Sequence, residues 1–282
     1  MKRTLLAALA VLAAFPAAAS ADTISGVVVA HGTDSLVVAG RQAATVRVNR
    51  PAAFKPGVKL RVTAARLADG SYRASAVKRR GRAGAAKLRF TLLRRTGRDA
   101  LVTAGGSTFT LKGGAVKLPG AIVSARLKVA KGKVSVARAK QVGQATTLTL
   151  GGRFAGGALR LDGGLTVTVP AGVELALDEG AAVQLLVSVG ADGTFTLVAI
   201  DGRLDVSGAV AAVSPASITV GAVTCAVPED LDVSDIAVGD TVYVSCSLVG
   251  GVLTADELEL DGELGFDDEL PFDEEEGEDD LP

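Results

Sequence analysis

The sequence predicts an all-β protein made of four tandem small five-stranded barrels and a disordered acidic C-terminal tail. Three observations predict this fold class. Short runs rich in Val, Thr, Leu and Ala carry apolar residues at alternate positions, with Gly-containing breaks between them. The chain has 34 Gly and no Trp, so the predicted cores are aliphatic and thin. The same order of runs recurs four times along the chain.

The repeat is clearest in the last unit, from Val206 to Asp261. Five alternating segments there predict five strands: VSGAVAAVS, SITV, AVTCAVP, GDTVYVSCSLVGG and LTADELEL. The same order recurs upstream in Ile24–Lys78, Leu88–Val142 and Leu148–Gly202, where LTVTVP is the predicted third strand of the third repeat. The link between the third and fourth strands has room for one helical turn.

Two glycines recur at fixed places in every unit. One precedes the fourth strand and the other lies in the hairpin turn before the fifth. They are Gly57, Gly120, Gly180 and Gly239 before the fourth strand, and Gly70, Gly132, Gly193 and Gly251 before the fifth. Tight turns often need a positive φ, which glycine adopts without steric cost, so these positions predict turns.

Five strands in a unit of about sixty residues must close on themselves to avoid exposed edges, which predicts a small OB-like barrel. The last unit contains the pattern G-x-V-x-x-V, I-T-V, G-D-x-V-x-V and G-G-x-L-x-A. In Val206–Leu260, and less closely in Ile24–Val77, this resembles repeats of exported bacterial domains of unknown function. The resemblance implies the fold and an exported setting, and it implies no activity.

The repeats and the termini define six predicted segments. They are a signal peptide at 1–21, a basic barrel at 22–85, a second basic barrel at 86–145, a third barrel at 146–202, an acidic disulfide-bonded barrel at 203–262, and an acidic disordered tail at 263–282.

The N-terminus has the features of a secretory signal peptide. Lys2 and Arg3 precede an apolar run from Leu5 to Ala19, and Ala19-Ser20-Ala21 places small residues before a cleavage point after Ala21. The alternative is a membrane anchor, but the run is shorter than the ~20 residues that a spanning helix needs. The predicted location is extracellular, periplasmic or in the cell envelope, with no transmembrane segment in the mature protein.

The two cysteines fall in the third and fourth strands of the last repeat. Cys225 and Cys246 have the parity of their apolar neighbours, so both are predicted to point into the barrel. In an exported protein such a pair predicts a disulfide, which would close a loop and stabilise the barrel by about 3 kcal/mol. A redox or metal pair is the alternative, but it needs close spacing or further ligands.

The sequence offers no catalytic constellation. The one histidine, His31, falls in a predicted turn without a second histidine or a nearby cysteine. No P-loop, dinucleotide fingerprint or metalloprotease helix is found. The protein is therefore predicted not to be an enzyme and to need neither a cofactor nor a metal.

Charge is distributed very unevenly along the chain. Residues 22–85 contain 12 Lys and Arg against 3 acids, and residues 86–145 contain 13 against 1. Residues 203–262 contain 1 against 10, and the tail has 11 acids and no base. Such asymmetry suggests an anionic partner for the basic half. The alternative is that these Lys and Arg residues only form the solvated outer faces of ordinary strands.

The densest basic run, Lys78–Arg82, is predicted to be the linker between the first two barrels. The candidate residues for binding an anionic polysaccharide or another polyanion are Lys78, Arg79, Arg80, Arg82, Arg94, Arg95 and Arg98. Three aromatic residues of this half fall in core positions: Tyr72, Phe90 and Phe109. Sequence-specific or base-stacking recognition of nucleic acid is therefore not predicted.

The tail Glu263–Pro282 is dense in like charge, which predicts disorder. It is predicted to contact the basic repeats of its own chain or of a neighbour and to compete with their ligand. Calcium association of the tail is a rival interpretation. Any such binding is expected to be loose, because the tail lacks the ordered loop of a calcium site.

The leading hypothesis is a non-enzymatic secreted or envelope protein that binds an anionic polymer. The alternative is a structural spacer without a specific ligand, in which charge serves solubility and head-to-tail association.

Overall fold

A computed structural model of the chain describes residues 21–67 and 69–260. This part is all-β, with nineteen strands and a single 3-10 turn. It forms two compact units: residues up to 116 with 122–142, and residues 117–121 with those from 143 onward. The predicted tail at 263–282 and the predicted signal peptide, apart from Ala21, lie outside the described residues.

The first five strands form a closed barrel in the order β1-β2-β3-β5-β4. Strand β3 runs parallel to β5, and the pairs β1–β2, β2–β3, β1–β4 and β4–β5 are antiparallel. Buried and exposed residues alternate along β4 because one face of the strand fills the barrel. The bounds are β1 Asp22–His31, β2 Ser35–Ala39, β3 Ala43–Arg47, the 3-10 turn Pro51–Ala53, β4 Val58–Arg66 and β5 Tyr72–Arg82.

The next five strands form a second closed barrel in the order β10-β8-β7-β6-β9, with β8 parallel to β10. Its core includes Leu88, Leu92 and Leu127, each almost fully buried. The bounds are β6 Ala85–Thr96, β7 Asp99–Ala104, β8 Ser107–Gly113, β9 Ala121–Ala130 and β10 Lys133–Gln144.

The remaining strands form one nine-stranded sheet in the order β12-β11-β13-β14-β15-β16-β17-β19-β18. The pairing of β15 with β18 makes a closed ring of the last five strands, with β17 parallel to β19. The bounds are β11 Thr147–Ala155, β12 Ala158–Leu161, β13 Ala182–Val189, β14 Phe195–Ile200, β15 Arg203–Ser214, β16 Ser217–Val220, β17 Val223–Ala226, β18 Thr241–Val249 and β19 Val252–Leu260.

The predicted strand LTVTVP in the third repeat is wrong as a continuous strand. Thr166 makes an isolated antiparallel bridge with Arg160, and Thr168 makes a parallel one with Thr196. The side chains of Leu165 and Val167 are nonetheless buried. The ladder is interrupted because glycines with positive φ precede the segment and Pro170, which has no N–H to donate, ends it.

The run Lys78–Arg82 is not a linker, as the sequence predicted, but the end of β5. The barrel closes only if β5 covers the whole of β4, and Lys78 pairs with Arg61 while Arg82 pairs with Val58. The actual connection to the next barrel is two residues, Ala83 and Gly84. His31, expected in a turn, is instead the exposed last residue of β1.

Turn geometry agrees with the sequence. All eight recurring glycines before the fourth and fifth strands of the repeats have positive φ, between +72° and +102°. The first strand of three repeats also carries one extra residue that interrupts the register: Val29, Leu93 and Ala211. Such bulges increase strand twist, which a small barrel needs in order to close.

None of the described residues forms a helix long and apolar enough to cross a membrane.

Candidate functional site

The two basic barrels meet along an almost unbroken line of strand. The amide of Ala83 donates to the carbonyl of Gly57 at 2.8 Å, and the amide of Val129 donates to that of Gly84 at 2.9 Å. Strand β5 therefore continues into β6 with hydrogen-bonded neighbours on both sides of the junction. A Cβ at position 57 would lie 2.8 Å from a methyl of Val129, so only glycine permits this close approach.

A second contact fixes the same two barrels to each other. The hydroxyl of Thr45 in the first barrel donates to that of Ser107 in the second at 2.7 Å. The backbone of Gly105 also lies against the carbonyl of Ala43, where a Cβ at 105 would come within 2.8 Å of the oxygen. The orientation of the second barrel on the first is thus set by contacts at two separate places.

Exposed cations line the outer face of the strands on either side of this junction. We call them the basic strip. On the first barrel they are Lys59, Arg61, Lys78 and Arg80, and on the second Lys87, Arg89, Arg126 and Lys128. The four strands that carry them, β4, β5, β6 and β9, contain no Asp or Glu.

Like charges in the strip lie directly opposite one another across strand pairs. Arg61 pairs with Lys78, and Lys87 pairs with Arg126. Cross-strand neighbours have Cβ atoms about 5 Å apart, and like charges there destabilise a sheet. No strip cation forms an ion pair with a carboxylate of the described residues. The repulsion is therefore uncompensated within this part of the chain.

Each barrel has a shallow groove beside its part of the strip. The groove on the first barrel has a volume of about 370 Å³ and is lined by Lys59, Arg61 and Arg80 with the backbone around Gly26. A Cβ at position 26 would lie 2.4 Å from a carbonyl oxygen, so a glycine is required there. The groove on the second barrel, about 300 Å³, includes Arg89.

The structure divides the predicted anion-binding residues into two sets. Lys78, Arg80 and Arg82 are exposed at the end of β5 next to the junction. Arg79 is instead held by its own barrel: its guanidinium donates to the carbonyl of Ala53 at 2.8 Å and lies 5.1 Å from the centre of the Phe54 ring. That contact is a cation–π interaction.

The other predicted residues lie toward the far end of β6. The guanidinium of Arg95 donates to the carbonyls of Val116 and Gly113, both at 2.9 Å, and so fastens a loop of the second barrel. Arg94 and Arg98 are exposed but lie at the end of β6 and in the turn beyond it, on the side away from the junction.

Sequence reasoning missed the partner strands of the strip. Lys59 and Arg61 on β4, and Arg126 and Lys128 on β9, are separated by single buried leucines. That alternation already marks them as outward-facing cations. Their proximity to Lys78 and Lys87 depends on strand pairing, which the local pattern does not contain.

The predicted disulfide is confirmed. Cys225 and Cys246 are bonded across the last five-stranded ring, with Cα atoms 6.4 Å apart. Both are buried, as are Val167 and Val187 at the matching positions of the preceding repeat. The cysteine side chains point into the core as their parity predicted, and a disulfide is compatible with an extracellular location.

The last ring carries carboxylates on the face that corresponds to the strip. Glu259 lies opposite Tyr243 and Glu257 opposite Ser245, whose hydroxyl donates to Asp205 at 2.7 Å. Burial raises the pKa of the Tyr243 phenol above its usual value. Four carboxylates raise it further: Asp205, Glu174, Glu257 and Glu259. We call the face formed by Asp205, Glu257 and Glu259 the acidic face.

A larger groove of about 730 Å³ lies beside the turn after β15. It is lined by the link from Pro228 to Ser234, which includes Glu229, Asp230 and Asp232. Among the described residues, no group of three or more His, Cys, Asp or Glu has a geometry that could hold a metal ion.

No protein-family model matches the chain, and no curated protein is significantly similar to it in sequence.

Proposed function

We propose that the chain is an exported, non-enzymatic protein of four tandem OB-like barrels whose first two barrels bind an anionic polymer through the basic strip. The observation that carries this proposal is the pairing of like charges across β4 and β5 and across β6 and β9, with no carboxylate in these strands. Solubility does not need cations placed face to face. A bound polyanion would remove their repulsion and release counterions.

The proposed repeat organisation is supported by strand pairing. The first, second and last groups of five strands each close with a parallel pair between the third and fifth strands. In the third group the bridge from Thr168 to Thr196 stands at the same place. The disulfide fits the proposed export, because such bonds persist in oxidising compartments.

The acidic tail is proposed to compete for the basic strip. The 11 acids of Glu263–Pro282 are joined to the barrels by the chain itself, so their effective concentration at the strip is high if the span permits contact. Single surface pairs contribute only ~0–1 kcal/mol, but several together can mask the surface.

Retention on an immobilised sulfated polysaccharide across a salt series tests this function. Mature protein should be retained at low salt and released by high salt, and deletion of Glu263–Pro282 should raise the salt needed for release. Arg61→Gln with Lys78→Gln should lower the slope of log affinity against log salt by about 2.

A matched control is Arg41→Gln with Lys112→Gln, which removes the same charge from exposed positions outside the strip. It should leave retention nearly unchanged. The Arg61/Lys78 variant should unfold at the same or a higher temperature than wild type, because it removes a repulsive pair. If neither full-length nor tail-deleted protein is retained at low salt, the binding function is wrong.

The second candidate is a structural spacer that associates head to tail. The acidic face favours it, since it offers a complementary surface at the corresponding place on the last ring. A spacer should bind no polysaccharide, and sedimentation should show larger species at low salt that dissociate as salt rises.

A further inference from the structure

The basic strip is continuous across the junction of the two barrels. One extra residue in β5, opposite Lys59, moves the outward positions from even to odd numbers, so that Lys78 and Lys87 lie on the same face. Exposed and buried residues then alternate from Ala85 to Phe90. The hydrogen bonds of Ala83 and Gly84 to the flanking strands hold this stretch extended. The cations of the two barrels therefore belong to one surface.

The strip has a definite length. Eleven residue steps separate Lys78 from Arg89, and an extended strand rises about 3.3 Å per residue, so the strip is about 35 Å long. The cations of β4 and β9 widen it near the junction: Lys59 and Arg61 lie on the first barrel, and Arg126 and Lys128 on the second. Arg82 is exposed but lies opposite the inward-facing Val58, so it is not part of the strip.

We propose that the occupant of the strip is one extended linear polyanion that lies across both barrels at once. This proposal rests on the function proposed above and specifies the class of its ligand. A small anion would use only a few of the eight cations and would leave the other like-charge pair unrelieved. The two shallow grooves, one on each barrel, lie open at the surface and so can admit a chain that continues beyond them.

Rigid linkage of the halves makes binding depend on chain length. A chain that reaches both halves converts the second contact into an intramolecular step, and the gain can reach about 10²–10⁴ in affinity. A chain shorter than one half gains nothing from the other barrel. The two contacts at the junction, Gly57 with Val129 and Thr45 with Ser107, keep the spacing between the halves fixed.

The test uses size-fractionated heparin oligosaccharides and tail-deleted mature protein, with calorimetry for affinity and stoichiometry. Fragments with an extended length under ~15 Å should bind weakly with two per protein, one on each half. Fragments longer than about 35 Å should bind one per protein, with an affinity at least about a hundredfold higher.

Two pairs of variants locate the effect. Lys78→Gln with Arg80→Gln removes cations of the first half, and Lys87→Gln with Arg89→Gln removes those of the second. Each pair should reduce long-fragment affinity to nearly that of short fragments and leave one short-fragment site intact. The Arg41/Lys112 control should change neither quantity.

An insertion tests the junction itself. Six Gly and Ser residues placed between Ala83 and Gly84 should lower long-fragment affinity about tenfold or more while leaving short-fragment binding unchanged, because the effective concentration falls. The same insertion between Gly156 and Gly157, in the turn after β11, is the control. Thermal unfolding of both proteins verifies that the barrels remain folded.

The outcomes separate this proposal from the function on which it rests. Two long fragments per protein, or variants that act independently on long fragments, would overturn the single-chain occupant while leaving polyanion binding intact. Absence of binding at every length would overturn both. A long-fragment gain that disappears in both variant pairs and with the junction insertion supports one continuous site.

Discussion

The first barrel and the last ring use corresponding faces in opposite ways. In each, the fourth strand pairs with the first and the fifth, and the fifth strand carries an extra residue at the same place: Ser75 in β5 and Asp256 in β19. By this register Lys78 corresponds to Glu259. Lys78 lies opposite Arg61, whereas Glu259 lies opposite Tyr243.

The difference lies in how each charge is accommodated. Carboxylates of the last ring lie beside hydroxyl groups, as Asp205 does when it accepts a hydrogen bond from Ser245. Cations of the first barrel lie opposite cations. A polar surface can be solvated in the first way without strain, whereas the second raises the free energy of the isolated barrel. The basic face therefore has more to gain from a partner of opposite charge.

The largest expected effect concerns the disulfide, which stabilises the last ring alone. Cys225 and Cys246 correspond to Val46 and Ala64 of the first barrel, both buried. Cys225→Val with Cys246→Ala introduces the residues of the first barrel at these positions. We expect a loss of about 3 kcal/mol in the free energy of unfolding, because a loop closed across 21 residues is opened.

Urea unfolding followed by Tyr243 fluorescence in a Tyr72→Phe background measures this loss where it occurs. Reduction of wild-type protein should shift the same transition by a similar amount. An unchanged midpoint after reduction would show that the aliphatic core of the ring suffices without the bond.

A smaller effect is expected in the first barrel, where the acid Asp69 fastens a turn. It accepts hydrogen bonds from the amide and hydroxyl of Ser71 at 2.9 and 2.6 Å and pairs with Arg47. Burial pushes the pKa of Asp69 upward, but the bonds from Ser71 and the charge of Arg47 outweigh it, so the pKa lies below its usual value.

A depressed carboxyl pKa stabilises the folded state above the ordinary value of 3.8, and this stability is lost as pH falls through the folded pKa. Asp69→Asn should therefore cost about 1 kcal/mol at pH 7 and little once wild type is protonated. Tyr72 fluorescence in a Tyr243→Phe background reports the transition. Asp34→Asn, at another exposed turn, is the control. If Asp69→Asn lost the same stability at pH 7 and at a pH where wild-type Asp69 is protonated, the role given to the Asp69 carboxylate would be wrong.

The smallest effect sharpens the electrostatic side of the comparison. Glu257→Gln with Glu259→Gln should lower the pKa of Tyr243 toward its usual value, since phenolate formation is then less opposed by negative charge. Absorbance titration in the Tyr72→Phe background measures it. Glu229→Gln with Asp230→Gln, on the link before β18, removes the same charge and should leave the Tyr243 pKa nearly unchanged.

The sequence by itself determined the local features of this protein. Alternation of apolar and polar residues predicted strands and the inward direction of Cys225 and Cys246, and glycine positions predicted turns with positive φ. These properties depend on the residues within one strand or turn, so they can be predicted without knowing which strands pair. The uneven distribution of charge along the chain was also clear from the sequence, but the arrangement of the charges on the surface was not.

Only the tertiary structure decided which cations form one surface. Lys78–Arg82 was predicted to be a linker because its successive charged residues lack the alternation of a strand. It is part of β5 because β4 pairs with β5 as far as Arg82. The meeting of Lys78 with Arg61 depends on register, which bulges and barrel closure set between residues distant in sequence. The junction at Gly57 and Val129 depends in the same way on contact between residues of two different barrels that are distant in sequence.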